Sequence, residues 1–253
     1  MSKPIVREIQ AKSILNASKI YDYCLNPYTG CGVGCVYCYA AQFMRRYSGH
    51  SEPWGQFVDV KVNAPEILAK QIVRAKRGSI WISSVCDPYQ PIEARYRLTR
   101  RLLEVLIGRD FPVAIQTKSA RVLRDLDLIR QLSDAEVGFT IATEDERIAK
   151  LFEPHASPIS ERIDALRHFR RAGIATYAFC GPLLPGDPDR LAAQLGDVIE
   201  YAFIDRMNYV PAVKKFYQRH GLTDALDDSF FEKQASALAK GLRQRGVRAK
   251  VVF

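Results

Sequence analysis

Residues 79–208 alternate short apolar runs with amphipathic stretches, and this alternation limits the fold more than any other feature of the chain. The runs 79–85 (SIWISSV), 113–117 (VAIQT), 137–142 (VGFTIA), 174–179 and 203–208 (FIDRMN) read as strands. Between them, 98–107, 122–132, 159–171 and 191–201 read as helices. In the third of these Ile163, Leu166 and Phe169 share one face, and Gly173 follows as a natural C-cap. Strands apolar along their whole length are buried on both faces, which argues for a parallel sheet covered by helices. Upstream, 1–17 reads as an irregular lead-in. A strand at 20–25 (IYDYCL), a helix at 40–47, a strand at 57–62 and a helix at 64–76 follow. That makes at least six β/α units. A helix at 229–244 and an edge strand at 249–253 close the chain. No linker or repeat divides it, so 1–253 is expected to be one domain with its core at about 20–210. In such folds ligands lie at the C-terminal ends of the strands.

A chain of 253 residues, 47% hydrophobic and 26% charged, can bury a sizeable core. It contains no run of 18 apolar residues, and its first residues lack the apolar centre of a signal peptide. The expected location is therefore cytoplasmic, with no membrane partner. The formal charge of +9 suits a polyanionic partner, nucleic acid among the candidates. Its densest basic runs, 95–101 (RYRLTRR), 162–171 and 243–250, have the plainer reading of solvated helix faces.

Six cysteines in an intracellular chain of this length argue for metal or redox chemistry over a disulfide framework. Cys31, Cys35 and Cys38 stand together in the loop 26–40 (NPYTGCGVGCVYCYA), spaced C-x3-C-x2-C. Structural zinc usually takes a C-x2-C pair with a second pair downstream, and no such second pair follows here. A ferredoxin-type electron carrier needs a fourth cysteine. Cys24 or Cys86 could supply one, so an iron–sulfur carrier or sensor, or a zinc protein, stays open as the alternative. Cys180 and Cys24 read as small core hydrophobes.

The loop with its aromatic Tyr37 before the third cysteine, placed after a first strand, resembles the radical S-adenosylmethionine (radical SAM) enzymes. Within them the longer likeness is to the photoproduct-lyase-like branch. It is carried by LNPYTGC…CVYCYA at 25–40, DPYQPIE…YRLTRRLLE at 87–104, TKSARVLRDLDLI at 117–129, Glu153, Pro154 and Arg162, and GPLLPG at 181–186. The resemblance implies a partial (β/α)6 TIM-like barrel of parallel strands with outer helices. It also implies a 4Fe–4S cluster on Cys31, Cys35 and Cys38, with S-adenosylmethionine chelating the fourth iron. A reductant such as flavodoxin or ferredoxin supplies one electron, the C5′–S bond breaks, and the 5′-deoxyadenosyl radical takes a hydrogen from a substrate that the motifs do not name.

The same likeness, with position and chemistry, assigns further residues. Tyr37 packs beside the cofactor. Lys118 meets the carboxylate of S-adenosylmethionine as a point charge. Thr117 and Ser119 offer hydroxyls, Ser84 and Asp87 face the same rim, and Glu144 accepts from ribose. Cys86 stands near where photoproduct lyase has a hydrogen-donating cysteine, and Tyr39 matches the second tyrosine of that enzyme's YCY, which is linked to hydrogen relay. These two are the catalytic candidates. Val33 and Ala41 depart from the branch, which often has His and Arg there, so repair of spore DNA is the lesser reading.

Overall fold

The apolar runs fold as short strands whose side chains lie almost wholly out of water: Leu25, Ile80, Ile82 and Ile115 are fully buried. A computed structural model describes residues 4–253, without the side chains of Arg45 and Arg46. It divides the chain into two units, Met1–Gly34 with Ala40–Val137, and Cys35–Tyr39 with Gly138–Phe253.

The first unit contains β1 (Ile5–Ile9), β2 (Leu15–Ala17), β3 (Tyr23–Leu25), β4 (Tyr28–Thr29), α1 (Ala41–Ser48), β5 (Phe57–Lys61), α2 (Ala64–Ile72) and β6 (Ile80–Ile82). After β6 come α3 (Glu93–Tyr96), α4 (Leu98–Leu106), β7 (Val113–Thr117), a 3-10 turn at Ala120–Asp125 and α5 (Leu126–Ile129). Strand β6 lies between β3 and β7 and is parallel to both, while β2 pairs antiparallel with β3. A separate small sheet pairs β5 parallel with β1 and antiparallel with β4. Helix α4 covers its side of the unit with Leu98, Leu102, Leu103 and Leu106, all buried. Strand β8 (Ala135–Thr140) begins in the first unit and ends in the second.

The second unit continues with α6 (Glu146–Phe152), α7 (Ile159–Arg171), β9 (Ala175–Cys180), α8 (Pro188–Leu195), β10 (Tyr201–Ile204), α9 (Val210–Arg219), a 3-10 turn at Thr223–Leu226, α10 (Asp228–Gln244) and β11 (Arg248–Val251). Strands β9, β10 and β11 are parallel and in register from Tyr177–Tyr201–Arg248 onward. The Phe152 ring meets Phe216 and Tyr217 at 5.1 and 5.0 Å between centroids, which fastens α9 to α6.

The α/β alternation is as expected, and β7 and α7 match their sequence bounds residue for residue. Several other bounds shift for physical reasons. The strand at 20–25 shortens to β3, because the Asp22 carboxylate accepts the Ser79 N–H at 2.8 Å and Ile20 is left 74% exposed. The helix at 191–201 starts earlier and stops at Gly196. Asp187 caps it by accepting from Asp189 and Arg190, and Pro188 takes the first turn. Its last residues therefore feed β10, which begins at Tyr201 instead of 203. The helix at 122–132 breaks into a 3-10 turn and α5 where the buried Asp125 binds Arg100 and Arg124. The irregular lead-in carries β1 and β2, and the short α3 precedes α4. Three helices, α3, α6 and α9, had no sequence expectation.

Candidate functional site

Strand β3 ends at Leu25 and the cysteine loop begins at once. Asn26, 7% exposed, organises its entrance. Its side-chain oxygen accepts from the Ser83 hydroxyl and from the backbone N–H groups of Ser84 and Val85, each at 2.9 Å. Its own carbonyl accepts from Lys61 Nζ at 2.8 Å. Burial pulls the pKa of that lysine below the usual range. Gly30 has φ +83, and a Cβ there would meet the Phe57 carbonyl oxygen at 2.4 Å, so only glycine brings the loop this close to β5. The buried Gln90 side chain accepts from Gly32 N–H at 2.7 Å and donates to the Gly30 carbonyl at 3.4 Å. It therefore holds the backbone on both sides of Cys31.

Cys31 Sγ accepts from the backbone N–H of Asp87 at 3.3 Å. The Asp87 carboxylate takes the Thr117 hydroxyl at 2.6 Å and the Tyr89 N–H at 2.8 Å on one oxygen, and the Lys118 N–H at 2.7 Å on the other. Ser119 N–H donates to Thr117 Oγ1 at 3.0 Å, and the Ser119 hydroxyl caps the 3-10 turn. Cys31, Asp87, Thr117, Lys118 and Ser119 thus belong to one hydrogen-bonded set at the C-terminal ends of β3, β6 and β7, and Ser84 belongs to the neighbouring set around Asn26. Cys86 is buried beside it, with its thiol 2.9 Å from the Ser83 hydroxyl. Burial pushes that thiol up to about 11. Cys180 is buried within β9, where desolvation pushes it up to about 12, in keeping with a core residue.

Cys35–Tyr39 belongs to the second unit. The loop tightens on itself through Gly34 N–H to Cys31 carbonyl and Cys38 N–H to Cys35 carbonyl, both 3.2 Å. Val36 N–H donates to the Phe152 carbonyl at 2.9 Å. The Tyr37 hydroxyl donates to Glu153, whose other oxygen meets Arg162 Nη1 at 2.6 Å. Burial first, and then the Glu153 charge, hold the Tyr37 phenol well above its ordinary range, so it stays protonated. Tyr39 is half-exposed. Glu144, buried in the segment that follows β8, accepts from the Asp187 N–H at 3.0 Å and from the Thr143 hydroxyl at 3.4 Å.

The sequence reading did not single out Asn26, Gln90, Glu153 or Arg162 as site residues. Asn26 and Gln90 lie inside the quoted motifs, next to residues that were chosen. Glu153 and Arg162 stand nine positions apart, so their pairing shows only when α6 and α7 fold.

Three thiols on one short loop, two of them buried and one receiving a backbone N–H, are a donor set that suits iron–sulfur chemistry. Among the described residues no three Cys, His, Asp or Glu side chains gather tightly enough to hold a single metal ion.

Comparison with known proteins agrees with this chemistry. The sequence pattern of the Radical SAM superfamily matches residues 25–197. An uncharacterised protein of Methanocaldococcus jannaschii is 39% identical over 186 residues, covering 73% of this chain and 70% of its own. The radical SAM Nalpha-GlyT isomerase of Pseudomonas phage M6 is 26% identical over 226 residues, covering 83% of this chain but 46% of that enzyme. Among solved structures, spore photoproduct lyase complexed with dinucleoside spore photoproduct superposes with a TM-score of 0.72 at 18% identity. That superposition covers 98% of this chain and 82% of the lyase. Streptococcus suis SuiB bound to S-adenosylmethionine gives 0.61 at 13% identity, over all of this chain and 51% of SuiB. These structural likenesses show the fold, the partial (β/α)6 barrel.

Proposed function

Because the chain belongs to the radical SAM superfamily, whose cofactors are a 4Fe–4S cluster and S-adenosylmethionine, we propose that Cys31, Cys35 and Cys38 bind three irons and leave the fourth to S-adenosylmethionine. The observation that carries this is the C-x3-C-x2-C loop inside the matched region, with the Asp87 N–H directed at the Cys31 sulfur. Bound there, cluster and cofactor supply one-electron cleavage of the sulfonium and a 5′-deoxyadenosyl radical that takes hydrogen from substrate.

The chain's own residues orient and shield that chemistry. Asn26 and Gln90 fix the loop backbone. Lys118 offers its charge to the cofactor carboxylate, and Thr117, Ser119 and Ser84 offer hydroxyls. Asp87 orders that set, Glu144 accepts from ribose, and Tyr37 packs against the cofactor. Cys86, kept protonated by burial, and the half-exposed Tyr39 are the groups we assign to moving hydrogen. An external flavodoxin or ferredoxin provides the electron, and the location is cytoplasmic. No helix among the described residues is long and apolar enough to cross a membrane.

For substrate we favour nucleic acid. Supporting this are the +9 charge and an open surface groove of about 540 Å³ on the first unit, lined by Arg97, Arg100, Arg124 and Arg130 with Asp127. Acidic partners already bind Arg100 and Arg124, so the exposed Arg97 and Arg130 are the cations left to meet phosphate. The lyase is solved in complex with a dinucleoside photoproduct, which is consistent with a nucleic-acid substrate. Repair of spore DNA as such is the lesser reading.

The test is anaerobic reconstitution followed by incubation with S-adenosylmethionine and dithionite. The expected products are 5′-deoxyadenosine and methionine, lost on Cys→Ala change at any of the three positions. A cluster held by four cysteines that cleaves no S-adenosylmethionine would instead establish a non-catalytic carrier or sensor.

A further inference from the structure

Glu153 and Arg162 are each 1% exposed, and Tyr37 is 8% exposed. Taking an ion pair to such depth costs several kcal/mol per ion, and an apolar replacement of the pair often leaves a protein as stable or more so. Stability alone therefore does not explain the pair, and its connections suggest another role. Arg162 is held from three directions. Its Nε donates to the Ser157 carbonyl at 2.7 Å, its Nη1 donates to the Thr140 carbonyl at 2.9 Å, and the same Nη1 lies 2.6 Å from a Glu153 carboxylate oxygen as an ion pair. A guanidinium fixed in this way cannot swing, so the carboxylate it holds cannot either. The second carboxylate oxygen receives the Tyr37 hydroxyl. One residue before Tyr37, Val36 is tied by its N–H to Phe152, the neighbour of Glu153. Two anchors, one through backbone and one through side chain, thus fasten Cys35–Tyr39 to the C-terminal end of α6. Cys35 also lies within electrostatic reach of both Tyr37 and Arg162.

We propose that Glu153 and Arg162 are positioning residues for the iron–sulfur cluster: with Tyr37 they form a charge-balanced latch that fixes the Cys35–Cys38 turn and sets the cluster's reduction potential. The proposal rests on the reading that Cys35 and Cys38 are ligands. Its electrostatic part follows from charge count. The carboxylate and the guanidinium sum to zero. Glu153→Gln keeps an acceptor for Tyr37 but leaves one positive charge near the Cys35 sulfur. Positive charge favours the form with the extra electron, so the potential rises.

The test is a potentiometric titration of the reduced-cluster electron paramagnetic resonance signal, with iron counted in each variant. In Glu153→Gln, iron content matches wild type and the reduced-to-oxidised ratio at a fixed poise rises about tenfold, equivalent to about 59 mV for one electron. In Glu153→Gln with Arg162→Met, the charge is balanced again and the ratio returns toward wild type. If the single variant does not fold, Tyr37→Phe, which removes only the hydroxyl, takes its place and loses iron relative to wild type. A Glu153→Gln cluster with full iron and an unshifted potential overturns the proposal, as does a double variant that keeps the shift of the single one. In the substitute experiment, Tyr37→Phe with wild-type iron and potential overturns it. Wild-type protein that takes up no cluster overturns the ligand reading beneath the proposal, and the latch with it.

Discussion

At the scale of single residues, Asn26 shows how much one side chain carries. Its amide oxygen is the acceptor for two backbone N–H groups and two hydroxyls of the segment 83–85. Asn26→Ala would remove the acceptor of the Ser84 and Val85 N–H groups, while the Ser83 hydroxyl keeps the Cys86 carbonyl, so the apo protein is expected to lose about 1–3 kcal/mol in urea unfolding. The cysteines separate in the same way. Ala at Cys31, Cys35 or Cys38 should abolish iron binding on reconstitution, while Ala at Cys24 or Cys86 should leave four irons per chain. Cys24 sits within β3 and receives the Asn26 amide at 3.5 Å, and Cys86 is turned toward Ser83. Cys86 also predicts a pH dependence. Burial raises its folded-state pKa from 9.0 to about 11, so the folded form holds the proton more tightly. The stability linked to that thiol is complete below about pH 9 and declines as pH rises from there through about 11. Urea midpoints across this range should fall more steeply for the parent than for Cys86→Ser. Equal slopes would show that the thiol is not the group responsible.

Among elements, the contact of α8 with α10 offers a test in which two effects compete. A Cβ at Gly241 would stand 2.8 Å from Ala192 Cβ, too close without movement of one helix. Gly241→Ala gains up to about 1 kcal/mol of helix propensity and loses about as much or more to the clash, so a small net loss is expected. Gly241→Val adds bulk without that gain and should cost about 2–3 kcal/mol, seen as a lower thermal midpoint. Elements also show which features could be seen from sequence. Strand β7 and helix α7 were visible because VAIQT is a clean apolar run and Ile163, Leu166 and Phe169 recur at helical spacing. Helix α6 went unseen although Asp145 is a clear N-cap, accepting from Arg147 and Ile148, because seven residues give too short a period to stand out. Helix α9 had Pro211 in its first turn and Val213, Phe216 and Tyr217 at helical spacing, a signal that was present and not used. The three cysteines stand out in the sequence because they share one short loop at fixed spacing. Glu153 and Arg162 stood out only as a motif of the resemblance; their contact could not be read, because it depends on where two helices place their ends.

For the whole molecule, the question is what a basic radical SAM protein acts on. If nucleic acid is the substrate, oligonucleotide binding should weaken linearly on a logarithmic salt scale. Replacing both Arg97 and Arg130 by Ala should reduce that slope by about 2 and weaken all sequences alike. An unchanged slope would remove the groove from the interface. The central claim, an iron left open for S-adenosylmethionine by a three-cysteine loop, is most directly tested by the electron paramagnetic resonance spectrum of the reduced cluster with and without S-adenosylmethionine. The account predicts a clear change of spectrum on adding S-adenosylmethionine, retained in Cys24→Ala and Cys86→Ala protein. A spectrum indifferent to S-adenosylmethionine, together with loss of the cluster in either of those variants, would contradict it.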